Sequence, residues 1–255
     1  MTGILLSGAF GKMGKAVCAK VEESKDFQII AGIDVFDGKS DDFPVYKSFD
    51  AVPESVTNRI DVVIDFSNPS AFSGLLDFIV KNKKPAVIAT TGLSEEQIVK
   101  MKSAAYEVPI FFSANMSLGV NLICELAKKA AKALGDDFDI EILEMHHNQK
   151  IDAPSGTALM IADCISAELD EQPDYVYDRA SKREKRSKNE IGIQSVRAGN
   201  IVGEHQVIFA GTDEVITLSH SARSKTLFAS GALSAAKMIA EKENGLYSMK
   251  ELIDG

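Results

Sequence analysis

The densest reactive chemistry in the chain is the run Glu144-Met145-His146-His147-Asn148-Gln149-Lys150-Ile151-Asp152-Ala153-Pro154-Ser155-Gly156-Thr157-Ala158. Two of the four histidines stand side by side in it. Histidine exchanges a proton most readily near neutral pH, which suits a general acid or base. Lys150 adds a fixed positive charge. Pro154-Ser155 leads into a helical pattern that Ser155 or Thr157 can cap. The free N–H groups of Gly156 and Thr157 at that helix start form a pocket for a carboxylate, favoured by the helix dipole. One proton donor, one cation and one backbone anion site together fit a small substrate with carboxylates and a reducible double bond. A metal site fits less well. Neighbouring side chains of a continuing strand point to opposite faces, and no third ligand stands at suitable spacing. A polar loop ahead of a capped helix, with a surface lysine, would give the same run of residues.

A second segment offers a different chemistry. Gly8-Ala9-Phe10-Gly11-Lys12-Met13-Gly14 lies between a strand pattern and a helix pattern. There a dinucleotide diphosphate would rest on backbone N–H groups at a helix N-terminus. The spacing is G-x-x-G-x-x-G, because Phe10 takes the second glycine place of the usual G-x-G-x-x-G. Asp34 ends the next strand pattern, close to the ~20-residue offset of a ribose-binding acid. Such a carboxylate accepts hydrogen bonds from the 2′-hydroxyl of NAD and repels a 2′-phosphate. Val35 and Phe36 follow it, and Lys39 is the nearest cation. NADH is therefore expected to serve at least as well as NADPH. A purely structural glycine turn and an ordinary strand-end aspartate are the other readings of these residues.

The elements that must position these segments are legible in outline. Strands are expected at residues 4–6, 28–34, 61–66, 85–89 and 109–112, with helices at about 11–23, 70–82 and 94–106. Continuous apolar strands alternating with helices predict a doubly wound parallel α/β sheet, Rossmann-like, covered on both faces. Beyond Asn115 the pattern changes. Leu118, Leu122, Leu126, Ala130 and Leu134 predict an amphipathic helix closed near Gly135. A strand at 138–145, a helix at 156–169 and strands at 191–196, 204–209 and 215–221 predict a smaller α+β domain with a mixed sheet. A last helix is expected over about 226–244. The resulting division is residues 1–116, with 226–255 returning to them, and residues 117–225.

Composition narrows the function classes. The 255 residues carry a formal net charge of −9, a poor match for nucleic acid or an anionic membrane surface. The basic stretch Ser181-Lys182-Arg183-Glu184-Lys185-Arg186 reads as a solvated mobile loop within 172–189. No apolar run reaches the ~18 residues of a membrane span, and the N-terminus lacks a signal-peptide layout. The cytoplasm is the expected location. Cys18, Cys124 and Cys164 are odd in number and scattered in sequence, so free thiols are expected rather than a disulfide framework or a metal site.

At the histidine run the sequence resembles the 4-hydroxy-tetrahydrodipicolinate reductase family, also called dihydrodipicolinate reductase. Every defined position of E-x-H-H-x-x-K-x-D-A-P-S-G-T-A is matched. The glycine loop resembles the family's nucleotide loop, with Lys12 where Arg is common. Ala89-Thr90-Thr91-Gly92 resembles its G-T-T-G turn, with Ala in the first place. Ser113-Ala114-Asn115-Met116-Ser117-Leu118-Gly119-Val120-Asn121 resembles its hinge segment beside the nicotinamide. Val196 to His205 resembles its R-x-G-x-I-V-G-E-H run.

The resemblance covers the whole chain and implies hydride transfer from NADH or NADPH to a small dicarboxylate, with loss of water, in the diaminopimelate route to lysine. It implies His146 as proton donor and Lys150 as a carboxylate ligand that helps place the proton. His147, Ser155, Gly156 and Thr157 are the implied substrate contacts. Gly8, Ala9, Phe10, Gly11, Lys12, Met13, Asp34, Ala89, Thr90, Thr91, Ser113, Ala114, Asn115 and Met116 are implied to line the cofactor. It also implies a homotetramer joined through the substrate-domain sheet. Two other classes compete: a different two-domain NAD(P) oxidoreductase, and a non-catalytic dinucleotide sensor. A semialdehyde enzyme would need a nucleophilic cysteine near the nicotinamide, and Cys124 in mid-helix is unsuitable.

Overall fold

Ile4-Leu5-Leu6 and Val62-Val63-Ile64 have no polar alternation, and all six side chains are fully buried. Strands of this kind need cover on both faces, which a parallel sheet flanked by helices supplies. A computed structural model describes residues 1–38 and 40–255, so Lys39 lies outside the described residues. The chain divides into two units, Met1–Leu118 with Lys225–Gly255, and Gly119–Ser224.

The first unit runs β1 (Thr2–Ser7), α1 (Lys12–Glu22), β2 (Phe27–Ile33), β3 (Val45–Tyr46), α2 (Glu54–Thr57), β4 (Val62–Asp65), α3 (Phe72–Asn82), β5 (Ala86–Ile88), α4 (Glu95–Ala104) and β6 (Pro109–Phe112). β1 pairs in parallel with β2 on one side and β4 on the other. Strand order therefore reverses at β1, and in such sheets ligands bind beyond the carboxyl ends of the strands at that point. α4 opens with a capping box. Ser94 Oγ accepts from the Gln97 N–H, and the Gln97 side chain accepts from the Ser94 N–H.

The second unit holds α5 (Leu118–Leu134, its first residue in the first unit), β7 (Asp139–His146), α6 (Gly156–Ser166), β8 (Asp174–Val176), β9 (Glu190–Arg197), β10 (Gly203–Ala210) and β11 (Val215–Ala222). The sheet order is β11-β10-β7-β9-β8. β7 is parallel to β9 and antiparallel to β10, so the sheet is mixed. Along β7 the buried positions alternate as Ile140, Ile142, Glu144 and His146. The first two enter an apolar core with Ile161, Ile165, Ile193, Val207 and Phe209. The last two continue the same face as polar groups. Cys124 lies in this core and Cys164 packs against it, both as free thiols.

The reading of 172–189 as a solvated loop holds for most of 177–189, which forms no regular element and is mostly exposed, and is corrected at β8, Arg179 and Arg186. Asp174–Val176 forms the edge strand β8, parallel to β9. Arg179 bonds to Glu190 and Glu141. The half-buried Arg186 donates to Asp139, to Glu141 and to the carbonyls of Ile140 and Glu190. Arg179 and Arg186 look solvated in sequence because the acids that face them sit on β7 and β9.

The chain then continues as α7 (Thr226–Ile239), β12 (Gly245–Tyr247) and α8 (Met249–Asp254), all in the first unit. The helix expected to reach residue 244 ends at Ile239. β12 pairs in parallel with β6 and completes a seven-stranded sheet ordered β12-β6-β5-β4-β1-β2-β3. A three-residue strand is too short to show periodicity. α7 buries Ala229, Ala232, Leu233, Ala235, Ala236 and Ile239 against the core that holds Ile4, Leu6, Val62 and Ile64. No helix among the described residues is long and apolar enough to cross a membrane.

Candidate active site

Between β1 and α1 only Gly8 to Gly11 make the turn. Gly8 has φ 79°, a left-handed conformation that favours glycine. Gly11 is the N-cap of α1 and brings no side chain to the first N–H groups of the helix, which have no intrahelical partners. A Cβ on Gly14 would collide with the carbonyl oxygens of Gly8 and Ala9, so glycine there lets the helix close on the turn. The Gly8 and Ala9 N–H groups both donate to the Ile33 carbonyl, at 2.9 and 3.2 Å. Asp34, buried at the end of β2, accepts from the Phe10 N–H at 2.8 Å and from the Phe36 N–H at 2.9 Å. The carboxylate thus staples the turn to the neighbouring strand. Each of its oxygens keeps a further lone-pair direction for a ribose hydroxyl. A cavity of about 900 Å³ opens here, lined by Gly8, Phe10, Gly11, Lys12, Asp34 and Phe66 among others. Backbone donors, close-packed glycines and room of this size fit a dinucleotide.

A second cavity of the same unit, about 390 Å³, brings together Lys12, Met13, Ala89, Thr91, Ala114 and Met116. Lys225 and Phe228, at the start of α7, line it as well. Sequence reasoning missed that pair, because a cation three residues before an aromatic is an ordinary helix start and lies far along the chain from the glycine turn. Ala9, Thr90, Ser113 and Asn115 line neither of these two cavities. Ala9 is buried under the turn. Thr90 donates to the buried Asp65 at 2.5 Å. Ser113 Oγ accepts from the Asn115 N–H and donates to the Asn115 carbonyl, while Asn115 Oδ1 accepts from the Ser117 N–H. These four residues shape the loops that carry the lining groups.

In the second unit the end of β7 aims Glu144 and His146 to the same side. His146 Nδ1 lies 2.6 Å from Glu144 Oε2. Arg197, on β9 and in register with His146, donates from Nη1 to Glu144 Oε2 at 2.8 Å and from Nη2 to Oε1 at 2.7 Å. Its Nη2 also donates to the Asp152 carbonyl at 2.7 Å and so holds the loop. The Ser155 N–H donates to Glu144 Oε1 at 3.1 Å. Ser155 Oγ caps α6 by accepting from the Ala158 N–H and lies 3.1 Å from His205 Nε2. Its hydroxyl is thereby occupied, and Ser155 acts here as a cap. The rings of His146 and His205 meet edge to face, 5.2 Å apart. Lys150 pairs with Asp152 at 2.8 Å. His147 Nδ1 is buried and finds no hydrogen-bond partner among the described residues. Gly156 is exposed, with open space where a Cβ would be. Glu144 and Arg197 stand in segments that the sequence brings forward, yet nothing in their spacing marks them as partners.

The family model for the N-terminus of dihydrodipicolinate reductase matches residues 2–116, and the model for its C-terminus matches residues 119–253. The chain belongs to the dihydrodipicolinate reductase family. A 4-hydroxy-tetrahydrodipicolinate reductase of Caldanaerobacter subterraneus subsp. tengcongensis is 52% identical over 99% of this chain and 98% of its own length. One from Clostridium novyi is 46% identical over the same shares. A dipicolinate-bound dihydrodipicolinate reductase from Paenisporosarcina sp. TG-14 superposes with a TM-score of 0.82 at 27% identity, covering 97% of each chain. The protein is thus a reductase with a Rossmann-type dinucleotide-binding fold, and the readings as a semialdehyde enzyme or a non-catalytic sensor lapse.

In the second unit, charge at the histidine loop is set by burial and by Arg197. Burial pushes the Glu144 carboxyl up, but hydrogen bonds from Arg197, Ser195 and His146 outweigh it and bring the group down to about 2. Burial lowers His146 from its ordinary value, opposed by its bond to Glu144 and helped by Lys150 and Arg197. Burial and the neighbouring His146 bring His205 down to about 4. Behind the Lys150–Asp152 pair, the buried part of the site at neutral pH therefore holds the anionic Glu144, the Arg197 guanidinium and neutral His146 and His205. No group of three metal-ligating side chains occurs among the described residues.

Proposed function

We propose that this chain reduces 4-hydroxy-tetrahydrodipicolinate to tetrahydrodipicolinate, with loss of water, in the diaminopimelate route to lysine. The observation that carries the reading is His146, backed by an anionic carboxylate at the end of β7, in a loop that also presents Lys150 and the N-terminus of α6. His146 is the proton donor. Lys150 exchanges its exposed partner Asp152 for a substrate carboxylate. The N–H groups of Gly156 and Thr157 hold a carboxylate at the positive end of the helix dipole, and His147 contacts the ring.

The first unit is the dinucleotide-binding domain, and the second binds substrate and makes the oligomer. Gly8, Ala9, Phe10 and Gly11, whose N–H groups are bonded within the turn, would bring the backbone close to the diphosphate, and the N–H groups of Lys12 and Met13 at the start of α1 would hold it. Ala89, Thr91, Ala114 and Met116, joined by Lys225 and Phe228, would enclose the nicotinamide half, on loops shaped by Thr90, Ser113 and Asn115. The bound cofactor supplies hydride. Asp34 would accept from the ribose hydroxyls, so NADH serves at least as well as NADPH. The assembly is a homotetramer joined through the face of the mixed sheet that carries Leu143, Met145 and Ile208. These apolar groups lie only half-buried in the single chain. The proposed location is the cytoplasm, where free thiols such as Cys18 and Cys124 stay reduced.

The test couples the protein to aspartate semialdehyde, pyruvate and the preceding synthase, and follows NADH and NADPH absorbance separately. Oxidation of NADH at least as fast as NADPH is expected. His146→Gln should lower turnover by roughly 10²–10⁴ while sparing NADH binding, as for loss of a general acid. Lys150→Ala should also raise KM. Full turnover in His146→Gln would remove the proton-donor role.

A further inference from the structure

The carboxylate of Glu144 is surrounded by donors. Oε2 receives Arg197 Nη1 and faces His146 Nδ1, and Oε1 receives Arg197 Nη2 and the Ser155 N–H. The group is fully buried and has no direction left in which to carry a proton of its own. The hydrogen in the 2.6 Å contact with His146 must therefore sit on Nδ1. That leaves Nε2 as the imidazole nitrogen able to take up and release a proton. Gly203, at the start of β10, lies against this nitrogen, and a Cβ there would come within 3.0 Å of Nε2.

We propose that Glu144, clamped by Arg197, is a positioning residue that locks the ring orientation and tautomer of His146, so that Nε2 alone serves the proton transfer. This rests on the proposed role of His146 as proton donor. In the transfer the Nε2–H bond breaks, its electron pair stays on the nitrogen, and the proton goes to the substrate. Nδ1 keeps its hydrogen on Glu144 throughout, and Nε2 regains a proton from water.

Arg197 explains why a buried acid is tolerated beside a histidine that must lose its charge. A lone carboxylate would hold the imidazolium tightly. The guanidinium cancels much of that pull, and burial and Lys150 oppose the charge further. The ring is thus oriented by a full negative charge without being trapped in its protonated form. Other histidines use a carboxylate on Nδ1 in the same way to fix which nitrogen is presented.

The test is Glu144→Gln in the full chain, with Glu144→Gln/Arg197→Gln as a second variant that leaves no unpaired guanidinium. Nitrogen-15 NMR of His146 in the free protein should show the Nδ1–H form in the wild type and its loss or mixing in both variants. The proton donor must be charged, so kcat/KM falls as pH rises through the His146 pKa. In Glu144→Gln, removing the carboxylate lowers that pKa, and this limb should move about one pH unit toward acid, a shift that loss of the guanidinium partly offsets in the double variant. Turnover should fall with the KM for NADH unchanged, and Glu144→Asp should recover part of the rate. An unaltered tautomer together with an unmoved limb would overturn the positioning role. If His146→Gln keeps full turnover, the proton-donor reading has failed instead, and the NMR result separates the two failures.

Discussion

The glycine turn of the first unit and the histidine loop of the second build their sites from different material. The turn uses backbone: N–H groups on the Ile33 carbonyl, glycines that admit close approach, and Asp34 acting as a staple on two more N–H groups. The loop uses charged side chains, with Arg197, Glu144 and His146 in one buried chain of hydrogen bonds. Backbone N–H groups do not titrate near neutral pH, so the turn can hold a ligand but not move a proton. The loop's side chains can titrate, and that is what proton transfer requires.

The largest effect expected from this difference follows Arg197→Met. It leaves Glu144 as a buried, uncompensated charge, and breaking such a pair costs about 3–5 kcal/mol. Denaturant unfolding should show that loss in the second unit, while titration with NADH shows unchanged affinity in the first. A loss under about 1 kcal/mol would mean that water replaces the guanidinium and that the two sites differ less than argued. Next comes acid. All four histidines lie in the second unit. His205 is held at about 4 against its ordinary 6.5, so the unfolded chain binds a proton there before the folded one does. Stability should fall as pH drops from 6.5 to about 4, by about 3 kcal/mol at most. Glu144 has the depressed carboxylate's sign, and its contribution is lost as pH falls from 4.5 toward about 2. Thermal melts across this range should show His205→Asn reducing the loss in the first window, to which His146 and His220 also contribute, and sparing the second.

The same difference explains what was legible in the sequence. The parallel sheet was legible because strands buried on both faces need unbroken apolar runs, and the turn was legible because its glycines are contiguous. The histidine run was legible as a cluster of reactive types, but not as a machine. Glu144 and His146 share a strand face, which alternation does reveal. Their tie to Arg197 depends on the register of β7 against β9, which no local pattern records. Lys225 and Phe228 were hidden for a similar reason, since α7 reaches the first unit only after the whole second unit has intervened. The expected solvated loop at 172–189 missed the pairing of Arg179 and Arg186, because the acids binding them belong to other strands.

The smallest effect tests whether Asp34 belongs only to the backbone site. In Asp34→Asn one carboxylate oxygen becomes an NH₂ group, a donor facing the donor N–H of Phe10 or Phe36. One buried N–H then loses its acceptor, at about 1–3 kcal/mol. A staple and nothing more would lower the affinities for NADH and NADPH together, in proportion to the disturbed turn. A carboxylate that also reads the ribose repels a 2′-phosphate, and its neutralisation should weaken NADH while strengthening NADPH. Fluorescence titration of the two cofactors against the same protein preparation decides between these outcomes. The expected result is the divergent one. The two backbone bonds leave each oxygen a free lone-pair direction beside the 900 Å³ cavity, so the residue that folds the turn remains able to select what binds there.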